Sequence, residues 1–178
     1  MKRWIYRIVA GLLLAGFILL GQWLFLDGAV GGADTPVLPT AWQSMETGEL
    51  RIEPATSEPA AGAASASGEA RYLSVRIADE PAERAQGMQH LPASIVRDHP
   101  IWFVFERPQR TGWHMRNVRI ALDIIYVDEA GTVIGIERME PEGSGYGINA
   151  PIAAALEVAA GQAERLGITP GARISRSD

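Results

Sequence analysis

The spacing of hydrophobic positions divides the chain into three stretches with different textures. From Ile8 to Leu26 it is apolar almost without interruption, broken only by glycines and Gln22, and it stops at Asp27. Nineteen residues at the helical rise span about 28 Å, close to the hydrocarbon thickness of a bilayer. From Asp27 to about Glu69 large apolar side chains are scarce, and Pro, Ala, Gly and Ser dominate, above all in Glu58–Gly68. Such a segment buries too little to offset its ordering entropy, and it reads as a spacer. Within it only Leu50 and Ile52 alternate with polar neighbours, which leaves two readings for Gly48–Glu53: a short edge strand or no element at all.

After Glu69 the period becomes two. Leu73, Val75 and Ile77 alternate with Tyr72, Ser74 and Arg76, the signature of a half-buried strand. Asp79-Glu80-Pro81 opens a short helix that Gly87 stops. Ile101–Phe105, Gly112–Val118 and Ile120–Val127 predict strands. The turn Asp128–Gly131 joins the last of these to Thr132–Met139 as a hairpin. Pro141–Pro151, with three glycines and two prolines, predicts a long loop; Gly161–Leu166 predicts a helical turn, and Ala172–Ser175 a final strand. Many short strands with one or two short helices place the domain in the α+β class, mostly β, as a small closed or half-closed β-barrel. The expected organisation is an N-terminal membrane helix over 1–26, a spacer over 27–69 and a globular domain over 70–178.

Charge sets the orientation. Lys2, Arg3 and Arg7 precede the apolar run and an acid follows it, so the N-terminus is expected in the cytoplasm and the domain on the far side of the inner membrane. The run exceeds a signal-peptide core, which favours an uncleaved single-pass anchor; cleavage near Gly31-Gly32-Ala33, with release of the domain, is the alternative. A net charge of −5 without a basic block argues against nucleic acid as a partner. The absence of cysteine removes disulfides and thiolate chemistry.

Two carboxylates stand out because they interrupt apolar runs: Asp123 within Ile120–Val127 and Glu157 within Ala153–Ala160. A carboxylate in such a place is costly unless paired. Arg116 and Asn117 on the preceding strand candidate can supply donors. One reading gathers Arg116, Asn117, Asp123 and Glu157 in a ligand pocket; another makes them a polar network that fixes strand register. A third leaves Asp123 exposed, on a face with Arg119, Ala121 and Ile125. His90, His99 and His114 share no metal-ligand spacing, so no metal or other cofactor is expected. Trp102, Trp113, Met88, Met115 and Phe103 are assigned to the core. Gly143–Gly147 matches no phosphate-binding pattern.

In order and spacing, the phrases Glu83-Arg84-Ala85-Gln86-Gly87-Met88, Phe103-Val104-Phe105, Met115-Arg116-Asn117, Ile120–Ile124, Leu156-Glu157 and Leu166–Gly171 resemble the domain-of-unknown-function family 192 over about residues 71–175. The resemblance implies a compact barrel-like fold, often exported or membrane-tethered. This chain departs from the pattern at His114, where the family has Trp, and at Arg116, where it has Lys, so any role there must suit a guanidinium. Two functions are carried forward. One is a non-catalytic module that binds a small polar ligand, a glycan or an envelope protein, with Arg116, Asn117, Asp123, Glu157 and His114 as candidate contacts. The other is a small hydrolase or lyase using Asp123 and Glu157 as paired carboxylates.

Overall fold

Seven strands form one curled sheet in the order β6-β5-β8-β3-β2-β1-β9. The computed structural model describes residues 36–55 and 68–177. In chain order the elements are α1 (Thr40–Ser44), β1 (Glu46–Glu53), β2 (Arg71–Ala78), α2 (Pro81–Gln86), α3 (Ala93–Asp98) and β3 (Ile101–Gln109). They continue with β4 (Trp113–His114), β5 (Leu122–Val127), β6 (Val133–Met139), β7 (Ser144–Tyr146), β8 (Ile152–Ala159), α4 (Gln162–Arg165) and β9 (Arg173–Arg176). Strands β4 and β7 make a separate two-stranded ribbon. All pairings in the large sheet are antiparallel except β2 with β3. The βαβ passage through α2 and α3 accounts for that exception, because parallel neighbours need a crossover.

The two edges of the sheet meet at one end. Thr132 bridges Arg173, and Val133, Gly171 and Ile174 exchange backbone hydrogen bonds of 2.8 Å with Ala172, Val133 and Gly131. The result is a mostly-β half-barrel, stitched shut beside the β5–β6 turn. Its concave face holds one core, with Leu50, Ile52, Val75, Ile77, Trp102, Ile125, Leu156, Val158 and Ile174. A second core lies on the outer face, where Ile101, Phe103, Leu122, Ile124, Tyr126 and Ala155 pack beneath Trp42, Met45, Met88, Leu91 and Val96 from the helical segments. Strands β3, β5 and β8 are therefore covered on both faces where they cross. That explains why their sequences are nearly continuous apolar runs instead of alternating ones.

Three sequence expectations change. Gly48–Glu53 belongs to β1, which is no edge: it pairs with β2 on one side and β9 on the other and buries Leu50 and Ile52 completely. The folded unit accordingly begins at Val37, so the stretch read as spacer over 27–69 contains α1 and β1. Gly112–Val118 is strand for only two residues. Val118 then donates to the Met115 carbonyl at 3.0 Å and closes a turn with Asn117 in the left-handed region, φ +59°. The predicted loop Pro141–Pro151 contains β7. The apolar run at 1–26 lies outside the described residues, and no helix among the described residues is long and apolar enough to cross a membrane.

Candidate functional site

Strand register decides what the two buried carboxylates can do. In the β5–β8 pairing Asp123 lies opposite Val158, and Ile124 lies opposite Glu157. Directly opposed residues share a face, and neighbours along a strand do not, so Asp123 points into the barrel and Glu157 points out beneath the helices. The paired-carboxylate reading fails on this geometry, because a sheet separates the two groups. Each is only 5% exposed.

Asp123 is fully engaged. Arg138 Nε donates to Oδ1 at 2.7 Å, while the Gly161 and Ala163 amides donate to Oδ2 at 2.7 and 3.4 Å. The carboxylate ties the β6 edge to the first turn of α4, a structural network at the barrel's end. Arg116 and Asn117 take no part in it, contrary to the sequence expectation, and neither is Asp123 exposed. Arg116 sits exposed at the tip of its turn. Asn117 instead joins His90 and Glu142. Its amide donates to Glu142 Oε1 at 3.0 Å, its carbonyl accepts from the His90 amide at 2.9 Å, and its Nδ2 lies 3.1 Å from His90 Nε2. All three residues have positive φ, at 62°, 59° and 59°, a conformation that side-chain-bearing residues keep only where the surroundings hold them.

Glu157 has a different environment. Oε2 is buried and accepts no hydrogen bond among the described residues. Burial alone pushes its pKa up to about 8. Ile101 and Ile124 flank it on the neighbouring strands. It lies against a cleft of about 210 Å³ walled by Phe103, Phe105, Met88, Val118 and Trp113, with Arg84, Gln86 and His114 also on the lining. Trp113 Nε1 is a second buried polar atom without a partner among the described residues. The Phe103 and Trp113 rings meet edge to face, centroids 4.8 Å apart and planes at 83°. Trp113 is only partly buried and is a cleft wall as much as core, which corrects its assignment above.

The chain folds to this arrangement through α2. Glu83 lies buried in its first turn; its Oε2 accepts from the Glu80 amide at 3.3 Å and its Oε1 from Ser44 Oγ at 3.0 Å, pinning α2 to α1. The helix ends at Gly87, whose φ of +46° and ψ of −135° suit glycine. A Cβ there would stand 3.6 Å from Phe103 Cζ and 3.9 Å from Glu157 Oε2, so the glycine keeps the approach to the carboxyl open. Arg84 donates to the carbonyls of Asp79 and Val104 and lies over the Phe105 ring. Of the five sequence candidates, the cleft thus gathers Glu157 and His114 and leaves out Arg116, Asn117 and Asp123. Among the described residues, no three His, Asp or Glu side chains converge as metal ligands.

Fold and cleft together define a small half-barrel domain with a helix-roofed pocket over one buried carboxyl. The chain belongs to the domain-of-unknown-function family DUF192, described as "Uncharacterized ACR", whose model matches residues 63–176. A solved protein from Sinorhizobium meliloti 1021, provisionally described as a transcription regulator, is similar at 27% identity and a TM-score of 0.63; the match covers 75% of this chain and 95% of that one. A protein of unknown function from Novosphingobium aromaticivorans DSM 12444 shares the fold at 23% identity and a TM-score of 0.57, over 79% and 99% of the two chains. No functionally curated protein matches.

Proposed function

We propose that this protein is a membrane-tethered extracytoplasmic binding module that takes a small polar ligand in the Glu157 cleft. One observation carries the reading: a buried carboxyl oxygen without a partner among the described residues lies against a cleft of about 210 Å³. A buried polar group in that condition costs roughly 1–3 kcal/mol or more. A cost retained at the wall of an apolar cleft is characteristic of a binding site. Binding is favoured over hydrolysis because, among the described residues, Glu157 is the only carboxyl lining the cleft, which leaves a two-carboxylate mechanism without its second member there. The tether rests on the apolar run at 8–26 and the positive charges before it.

The binding reading is tested by screening small polar fragments against the full chain by ligand-observed NMR. Hits that Trp113→Ala and Glu157→Gln both abolish are expected. Hits indifferent to both substitutions, or none at all, sink the reading. Sidedness is tested separately by protease accessibility after the outer envelope is permeabilised. Digestion of the domain is expected, and protection overturns the tether.

A further inference from the structure

We infer that the Glu157 cleft recognises a primary ammonium carried on an unbranched apolar stem. This rests on reading the cleft as a ligand site, and it goes further by naming the chemistry of the ligand. The first step is the choice of side chain. A glutamine at this position would donate and accept hydrogen bonds without the cost of a buried ionisable group. What a carboxyl alone adds is a negative charge. No cation of the protein ion-pairs with it among the described residues, so a counter-charge for the ionised carboxylate comes from the ligand.

The walls narrow the class. Phe103 and Trp113 stand beside the carboxyl, and aromatic faces attract an ammonium as a carboxylate does. Met88, Val118 and Phe105 offer apolar contact to an alkyl stem and little to a chain of hydroxyls. The volume of about 210 Å³ holds about seven water-sized groups, the scale of a short alkylamine or the end of a lysine side chain. Arg84 does not compete for the carboxyl, since its guanidinium is committed to the Asp79 and Val104 carbonyls and the Phe105 ring.

Among the described residues, the charged or titratable groups that share the cleft with Glu157 or feel its charge are Arg84 from α2, His114 from β4 and Tyr126 from β5, with Glu137 of β6 accepting the Tyr126 hydroxyl at 2.9 Å. None hydrogen-bonds to Glu157 Oε2 among the described residues, so an ammonium entering the site displaces the carboxyl proton to solvent. With the carboxyl titrating at about 8, its ionised share rises from about one hundredth at pH 6 to one half at pH 8, and affinity for a cation rises about fifty-fold.

The test is a saturation-transfer NMR titration of the full chain with n-butylammonium, n-butanol and n-butyrate from pH 6 to 9. The expected result is binding of butylammonium alone, tightening about fifty-fold between pH 6 and 8. In Glu157→Gln the pH dependence disappears and the affinity at pH 8 falls. If that variant does not fold, the wild-type pH profile and the ranking of the three probes decide. Nα-acetyl-lysinamide binding at least as tightly as butylammonium assigns the stem to a peptide, and weaker binding to a free amine; either is consistent with the ammonium. Butanol binding as well as butylammonium with a flat pH profile overturns the inference and leaves the cleft as a ligand site. A preference for butyrate overturns it as well. If no probe binds but neutral fragments do, only the ammonium falls. If nothing binds the cleft, both readings fall.

Discussion

Replacing Glu157 with glutamine should make the protein more stable in alkaline conditions and leave it nearly unchanged in acid. In the unfolded chain this carboxyl titrates near 4.5; in the fold, burial raises it to about 8. Between those values the native state holds a proton that the unfolded state has released. Stability therefore falls as pH rises through that window, by about 1.4 kcal/mol per pH unit. The loss accumulates over about 3.5 units, amounts to about 5 kcal/mol, and is complete once the folded group has ionised above pH 8. Below pH 4.5 the group is protonated in both states and contributes no difference. Glutamine is nearly isosteric and never ionises, so subtracting its stability from wild type isolates this one titration from all others. Urea unfolding of both proteins at pH 5, 7 and 9 measures the difference. The expected difference is about 1 kcal/mol at pH 5 and several kcal/mol in favour of the variant at pH 9. A difference independent of pH, or one favouring wild type at pH 9, would refute the argument, because it would mean that the carboxyl is solvated or paired in the fold.

Asp123→Ala should behave in the opposite sense, destabilising by about 1–3 kcal/mol at neutral pH in urea unfolding, since it strands the Gly161 and Ala163 amides; a cost below about 1 kcal/mol would mean the network is dispensable. A fragment beginning at Glu69 should show no cooperative thermal transition, whereas one beginning at Val37 should. The shorter fragment lacks Trp42, Met45, Leu50 and Ile52, which at about 1.5–3 kcal/mol each approach the whole stability of a domain. A cooperative melt of the shorter fragment would show that β1 is an accessory strand. Gly131→Ala should cost about 1–3 kcal/mol in urea unfolding, because φ is +79° and the new Cβ would meet the Ile174 carbonyl oxygen at 2.9 Å, across the seam that joins the sheet's edges. An unchanged midpoint would argue that the seam is loose.

Local chemistry was legible wherever it acts over a few residues. The alternation of Leu73, Val75 and Ile77 marked β2, and Pro81 to Gly87 marked α2 with both its ends. The anomaly of a carboxyl within an apolar run singled out Asp123 and Glu157, and both are buried. Misreadings came where long-range pairing overrides a weak local signal. Two alternating apolar residues are too few to distinguish an edge strand from spacer, yet β1 sits between β2 and β9. The segment around Trp113 has strand composition but meets only β7, so it turns after two residues.

The sequence by itself determined the period-two texture of the domain, the turn positions, the lack of thiol chemistry and the pair of carboxyls whose burial needs explaining. The tertiary structure alone decided which neighbours those carboxyls have. Alternation shows which residues along one strand share a face, but it cannot say which face meets which core, and β5 and β8 are apolar on both. Only the register between them, Asp123 opposite Val158 and Ile124 opposite Glu157, sends one carboxyl inward to Arg138 and the α4 amides and the other outward to a cleft where, among the described residues, no cation pairs with it. That register is set by packing the whole sheet between two cores, a global constraint that no local segment encodes.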